Sequence, residues 1–469
     1  MAQFNLVLSD LPLELLPAIF DFVVKPQHIS ALCLVNKTFN HFATPLLYRR
    51  VFIFAWYKEA KSKVALLFRT LSESPQLARH VQRLEIRDFP KALSASGHLD
   101  LLQLCIKGIK NCVNLRSCTW TRDGSLHSAV LESLRDCPQL RELEINGNSS
   151  GYNPIMLTQF THLSKLSLIM PSAQVLDIFP SWISMTGATL RSLTIICKAS
   201  TLVTDVFLAH LAPNLEELEY LYIIGCPKVT HGGIGAVASA NKNGLLGISL
   251  EGLSQAFDMS EFKAICLRKK AFRRLRAITL TVHVHIPLDR WTHDVEELLS
   301  PAPLEVFSIY STTTSIRTPI SDDFWKSIIT KHGPRLKRFS IHRMQISLAA
   351  LQIICSQCPL LEQLFVVAEQ RELDVAGRLF ALARNLRTLH INFPLATSES
   401  AVFPSVLMQS ALSIVYICSP TLTHIGCNTR VWQIKRVVHE DESGEKYTVP
   451  TLAPQENPDI PEQFLVIHA

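Results

Sequence analysis

The sequence predicts an α/β fold: an N-terminal three-helix module followed by a curved solenoid with parallel strands inside and helices outside. Three observations predict it. A short pattern, apolar-x-x-apolar-x-apolar, recurs along most of the chain. The stretch ahead of many copies reads as an amphipathic helix. Residues 8–51 break the pattern and carry apolar residues at helical spacing instead.

The clearest copies are Leu140 to Ile145, Leu190 to Ile195, Leu215 to Tyr220, Leu361 to Val366 and Leu386 to Ile391. Looser copies start at Val81, Leu115, Leu163, Leu245, Leu275, Leu304, Leu336 and Leu422. Successive starts from Leu115 to Leu215 lie 25, 23, 27 and 25 residues apart. The last apolar pair of each copy is spaced by two, which puts both side chains on one face of a short strand. Val130, Leu131 and Leu134 precede Cys137-Pro138, and Ala349, Leu351, Ile353 and Ile354 precede Cys358-Pro359. Proline cannot continue a helix, so it marks the crossing to the next strand. One strand and one helix cannot bury their own apolar face, whereas stacked copies can. From about Val81 to Asn428 the pattern resembles the leucine-rich-repeat family in its long, helix-containing form. The later gaps of about 30 residues lie near the upper end of that family's period.

The chain has 469 residues and 48% hydrophobic content, ample for a large core, and a solenoid grows by units rather than by splitting into domains. A net charge of +6 is small for this length and argues against a chain dominated by nucleic-acid binding. No apolar run is long enough to span a bilayer. Asp10, Glu14 and Asp21 interrupt the apolar N-terminus, and no Lys or Arg precedes Lys25, which argues against a signal peptide. A cytoplasmic or nuclear chain with reduced cysteines is expected. Of the 12 cysteines, Cys355 and Cys358 form the only close C-x-x-C pair. Cys112, Cys137 and Cys358 each lie three residues before a strand-opening leucine, so these thiols are expected as small buried scaffold groups, with no metal or cofactor.

In the N-terminal module, Leu15, Leu16, Ile19, Phe20 and Val23 are read onto one helical face. Pro12 suits a first helical turn and Glu14 the positive end of the helix dipole. Pro17 is expected to loosen or kink a turn. A second helical run holds Ile29, Leu32, Leu34, Val35 and Phe39, and a third segment runs from Phe42 to Val51. Three short helices cannot bury all this apolar surface, so some of it should face another protein. The spacing Leu11-Pro12-x-Glu14-Leu15-Leu16, Ile19-Phe20, Leu32-x-Leu34-Val35-x-Lys37-x-Phe39 and Leu46-Leu47-Tyr48-Arg49 resembles the F-box. Phe39 stands where many members carry tryptophan. The plainer alternative is a helical cap on the first repeat.

The resemblance implies a substrate-recognition subunit of a Skp–cullin–F-box ubiquitin ligase, serving ubiquitin-dependent protein degradation. The module would dock a Skp-family adaptor, and through it a cullin–RING ligase, by Leu11, Pro12, Leu15, Leu16, Ile19, Phe20, Leu32, Val35 and Phe39. The repeats would bind an unidentified protein substrate, and the chain would do no chemistry itself. The alternative is a non-degradative F-box scaffold. A repeat-built enzyme or enzyme regulator is a weaker third reading, which the intact Leu11-Pro12 motif separates from the other two; no nucleophile–base motif of recognised spacing is present.

The variable strand positions point to the concave surface. They are read as Glu142, Glu144, Glu217 and Glu219 in the earlier strands, and Tyr310, Arg338, His342, Phe365, His390 and His424 in the later ones. Aromatic and arginine residues are common interface anchors; an ordinary solvated face is the alternative.

The basic cluster Arg268, Lys269, Lys270, Arg273, Arg274 and Arg276 is expected on a solvated convex helix, with an acidic partner or a nuclear signal as the other reading. His283 and His285 have strand spacing and no ligand partners nearby. Val431 to Val449 reads as a hairpin covering the open end of the solenoid. The expected organisation is F-box 8–51, helical linker and first-repeat cap 52–80, repeat solenoid 81–428, capping hairpin 429–449 and irregular tail 450–469.

Overall fold

The computed structural model describes residues 12–55, 59–89, 95–283, 286–312, 320–393, 404–440 and 443–454. The chain forms two compact units, one running to Cys197 and one starting at Lys198.

The first unit opens with a 3-10 turn, Leu13–Leu15, followed by α1 (Leu16–Phe20), α2 (Pro26–Cys33) and α3 (Lys37–Arg49). Pro17 falls in the first turn of α1, where a backbone N–H has no intrahelical partner. The expected kink is therefore absorbed by winding the residues ahead of it as 3-10. The expected single run from Ile29 to Phe39 divides in two. Asn36 caps α3, its side-chain oxygen accepting the Phe39 N–H at 2.8 Å, and such a cap is worth about 1 kcal/mol.

The chain then turns directly into a strand, β1 (Arg50–Ile53), where the sequence suggested only the module's end and a helical linker. The linker holds a helix, Ala60–Glu73, before β2 (Arg83–Ile86). β3 (Ser117–Trp120), β4 (Glu142–Asn146), β5 (Lys165–Ile169) and β6 (Ser192–Ile196) follow, each parallel to its predecessor. The register aligns Leu84, Cys118, Leu143, Leu166 and Leu193 in one rung, and Ile86, Trp120, Ile145, Leu168 and Ile195 in the next. All ten are buried. Burying a side chain of this size contributes about 1.5–3 kcal/mol, which is why the repeat is apolar at these positions.

The second unit continues the same scheme. β7 (Tyr220–Ile224), β8 (Gly247–Glu251), β9 (Ala277–Val282), β10 (Val306–Ser311), β11 (Arg338–His342), β12 (Gln363–Val367), β13 (Thr388–Asn392) and β14 (His424–Cys427) pair in parallel order. Helices from Asp205–Leu211 to Pro404–Ile417 alternate with them. β15 (Arg430–Glu440) then reverses onto β14, and β16 (Lys446–Pro454) reverses onto β15. The antiparallel pair continues to Pro454, past Pro450 where an irregular tail was expected.

With one exception, the sequence copies coincide with observed strands. At Leu215 the register slips by three. Leu215-x-x-Leu218-x-Tyr220 and Leu218-x-x-Leu221-x-Ile223 both satisfy the pattern, and the fold uses the second. That choice sets Leu221 against Ile248 and Ile223 against Leu250, all four buried. Tyr220 then lies over Gly247, where a β-carbon would come within 2.6 Å of its ring.

Cys112, Cys137, Cys355 and Cys358 are free and buried. Desolvation pushes the Cys112, Cys137 and Cys358 thiols up to about 12. The basic cluster is exposed at Arg268, Lys269, Lys270, Arg273, Arg274 and Arg276, at and beyond the end of helix Met259–Lys269. His283 is buried, and His285 lies outside the described residues.

Candidate functional site

The apolar residues of the helical module separate into two sets. Leu16, Phe20, Ile29 and Ala43 form a closed core, packed by Val23, Leu32, Cys33, Phe39, Phe42, Leu46 and Leu47. The Phe20 and Phe39 rings are 5.1 Å apart. An ion pair of 2.9 Å between Asp21 and Arg49 ties the end of α1 to the end of α3. The second set faces water: Leu13, Leu15, Ile19, Phe22, Val24, Leu34 and Val35, with Phe22 87% and Leu34 85% exposed.

The expected docking residues therefore divide. Pro12, Leu15, Ile19 and Val35 lie at the surface. Leu16 and Phe20 are buried, and Leu32 and Phe39 pack against the same core. Leu11 lies outside the described residues. The single face read for Leu15, Leu16, Ile19, Phe20 and Val23 is two adjacent stripes. Residues 16, 20 and 23 point in, while 15, 19 and 22 point out, each set at i, i+4, i+7. That second stripe was visible in the sequence. Phe22 and Leu34 were missed as its most exposed members.

The strand face behaves differently in the two units. In the first it is a charge ladder. Arg50 pairs with Glu85 at 2.7 Å, Arg87 with Glu144 at 3.1 Å, and Arg122 with Asp88 at 3.5 Å. The Thr119 hydroxyl also donates to Glu144 at 3.4 Å. Glu142 and Glu144 stand on β4 as expected, half-buried, but Glu144 is already neutralised by Arg87. Glu217 and Glu219 are off the strand, in the turn before β7, because of the register slip. There the Asn243 side-chain amide donates to Glu217 at 3.2 Å.

In the second unit the face carries rings. The Arg343 guanidinium lies 5.0 Å over Tyr310, and that of Arg338 lies 5.2 Å over Phe365. Phe365 stacks on His390 at 5.9 Å with planes 22° apart, and His342 stands 6.2 Å from Phe365. Tyr310, Phe365 and His390, expected as open anchors, are buried. The register explains it for the last two: Ser340, Phe365, His390 and Gly426 share one rung, so the rings fill the space over small neighbours. Arg338, His342 and His424 remain partly accessible. Desolvation lowers the His390 imidazole to about 4, against the opposing hydrogen bond to Asn392 at 3.1 Å.

Among the described residues, no helix is long and apolar enough to cross a membrane, and no group of three His, Cys, Asp or Glu side chains is arranged to hold a metal ion.

Residues 8–54 match the F-box-like family model, so the chain carries an F-box-like domain. Together with the units behind it, this defines the class: an F-box-like domain followed by a leucine-rich-repeat-type stack of parallel strands and helices. An F-box-like domain implies a Skp-type adaptor as partner. No curated protein matches the chain. The crystal structure of the Rad7 and Elc1 complex in yeast is similar at 15% identity, covering 74% of this chain and 92% of that one, with a TM-score of 0.40. The leucine-rich-repeat-containing protein LegL7 from Legionella pneumophila is similar at 13% identity over 58% of this chain and 90% of that one, with a TM-score of 0.35. Neither likeness bears on what the chain binds.

Proposed function

We propose that this chain is a substrate-recognition subunit of a Skp–cullin–F-box ubiquitin ligase. The observation that carries the reading is the split of the helical module into a satisfied core and a second apolar set left in water. A domain that needed only to fold would not keep Phe22 and Leu34 at 87% and 85% exposure in the turns that end two helices already sharing a core. In this reading Pro12, Leu15, Ile19, Phe22, Leu34 and Val35 form the adaptor-docking surface, and Leu16, Phe20, Leu32 and Phe39 hold it in shape.

The chain contributes no chemical step. It holds a bound protein near the ubiquitin-charged enzyme of the assembled ligase, and effective concentration does the rest. The second unit's strand face is the proposed substrate surface. Arg338, His342 and His424 line it, partly accessible over a backing of packed rings. The paired charges of the first unit make it the poorer candidate, since a partner would have to displace ion pairs already formed.

The test is co-purification of the full chain with a Skp-family adaptor, comparing the wild type with Phe22→Asp and Leu34→Asp. Loss of adaptor in both variants, with unchanged thermal stability, is the expected result. Retention of adaptor by both removes the docking assignment. Ubiquitylation of co-purified proteins in the presence of a proteasome inhibitor then separates a degradative receptor from a non-degradative scaffold.

A further inference from the structure

The hairpin β15–β16 leaves the packed body after Ile434. Trp432 and Ile434 are buried, but Val437, Val438 and Tyr447 further along are exposed. The two edges of this arm differ. The Ile434 N–H donates to the Thr423 carbonyl at 2.8 Å, away from β16. By strand alternation, the N–H and C=O groups of Arg436, Val438 and Glu440 point the same way. β14 covers only Arg430 to Gln433 of that edge. Among the described residues, nothing pairs with the outward backbone of Arg436, Val438 and Glu440.

The opposite edge is closed. Pro450 faces Arg436 and Pro454 faces Trp432 across the hairpin. The same alternation puts both proline nitrogens on the outer side of β16, so that edge lacks donors where another strand would need them. The β15 edge carries no proline.

We propose that the open edge of β15 pairs with the same edge of a second copy of the chain, antiparallel and centred on Val438. The edge is self-complementary in charge. With Val438 opposite its own counterpart, Arg436 faces Glu440 of the partner subunit, and Glu440 faces Arg436 of the partner subunit. Every residue in these pairs has its N–H and C=O pointing outward, so each pair closes both of its backbone hydrogen bonds. On the other face Val437 comes beside His439 of the partner subunit. That continues the stacked His439 and Tyr447 rings, 5.7 Å apart, into an apolar strip shared by the two hairpins. Sliding the register by two residues leaves Glu440 without its arginine, so charge selects the centred arrangement. The pairing is short and belongs with small, weak interfaces. An unrelated strand could use the same backbone groups, but the matched Arg436 and Glu440 favour a second copy.

Sedimentation velocity on the full chain, up to about 100 μM, tests this in the range expected of weak interfaces. The wild type should show a concentration-dependent monomer–dimer equilibrium. R436E and E440R, each of which sets like charges opposite each other twice by symmetry, should weaken it at least about tenfold. The R436E/E440R double variant restores opposite pairs and should return to within about threefold of wild type. Val438→Pro removes the central outward N–H at the same kind of position Pro450 occupies on β16, so it should abolish dimerisation with an unchanged melting temperature. A wild type that stays monomeric overturns the proposal. So does a dimer that survives Val438→Pro, or a double reversal that fails to restore association; either would point to a different surface or to a foreign strand.

Discussion

The His390 imidazole lies directly over Gly426. A β-carbon built on Gly426 would fall 2.0 Å from His390 Nδ1. Gly426 is a strand residue paired with His390 across β13 and β14, so the missing side chain serves close approach rather than an unusual backbone angle. Gly426→Ala should therefore cost about 1–3 kcal/mol, as overpacking does. In denaturant unfolding, His390→Ala in the same chain should recover most of that cost. If Gly426→Ala alone proved neutral, the ring would have to be free to leave the rung.

The two stripes of the helical module make opposite predictions for neighbouring residues. Phe20→Ala should destabilise the module by about 3–5 kcal/mol, because it empties a core position against Phe39. Ile19→Asp, at a position 37% exposed on the rim of that core, should cost clearly less than Phe20→Ala yet remove adaptor binding. Thermal unfolding and co-purification, run in parallel, separate the two effects. Equal loss of stability in both variants would merge the stripes again.

Substitutions along the face of the first unit should rank by what each side chain touches. Leu143→Asp buries a carboxylate in a rung and should cost several kcal/mol, on the order of a domain's whole margin. Glu144→Ala strands the partly buried Arg87 and should cost about 1–2 kcal/mol. Glu217→Ala, in the turn before β7, should stay within about 0.5 kcal/mol. Urea midpoints of the three variants check the order.

Acid should weaken the second unit before its carboxylates titrate. Desolvation lowers both His332 and His390 to about 4, with Lys331 and Arg335 adding repulsion at His332. In the unfolded chain both titrate near 6.5. The unfolded state thus binds more protons between those values. Stability is fully present above about pH 6.5 and falls as pH drops toward about 4, with a limiting slope of about 1.4 kcal/mol per pH unit for each group. Unfolding free energies measured from pH 7.5 to 4.5 should show the decline, and His390→Gln should flatten it. A profile unchanged by that substitution would mean that His390 binds a proton in the fold without penalty.

The sequence by itself determined the repeating unit, nearly every rung position and the helical module. Those features depend on periodicity: a strand that buries one face must alternate, and a helix that buries one stripe must repeat every three to four residues. Packing decided what periodicity leaves ambiguous. Leu215 to Ile223 holds two overlapping copies of the pattern, and only the neighbours Ile248 and Leu250 select between them. Leu15 and Leu16 are equally apolar, and only the core formed with Ile29 and Ala43 decides which points inward. Phe365 and His390 occupy outward positions, yet they are buried, because Ser340 and Gly426 on adjoining strands leave room for rings. The open edge of β15 is likewise a property of how far β14 extends, which no residue of β15 encodes. Local pattern specifies which residues can be buried, whereas burial itself depends on what the neighbouring strand places opposite.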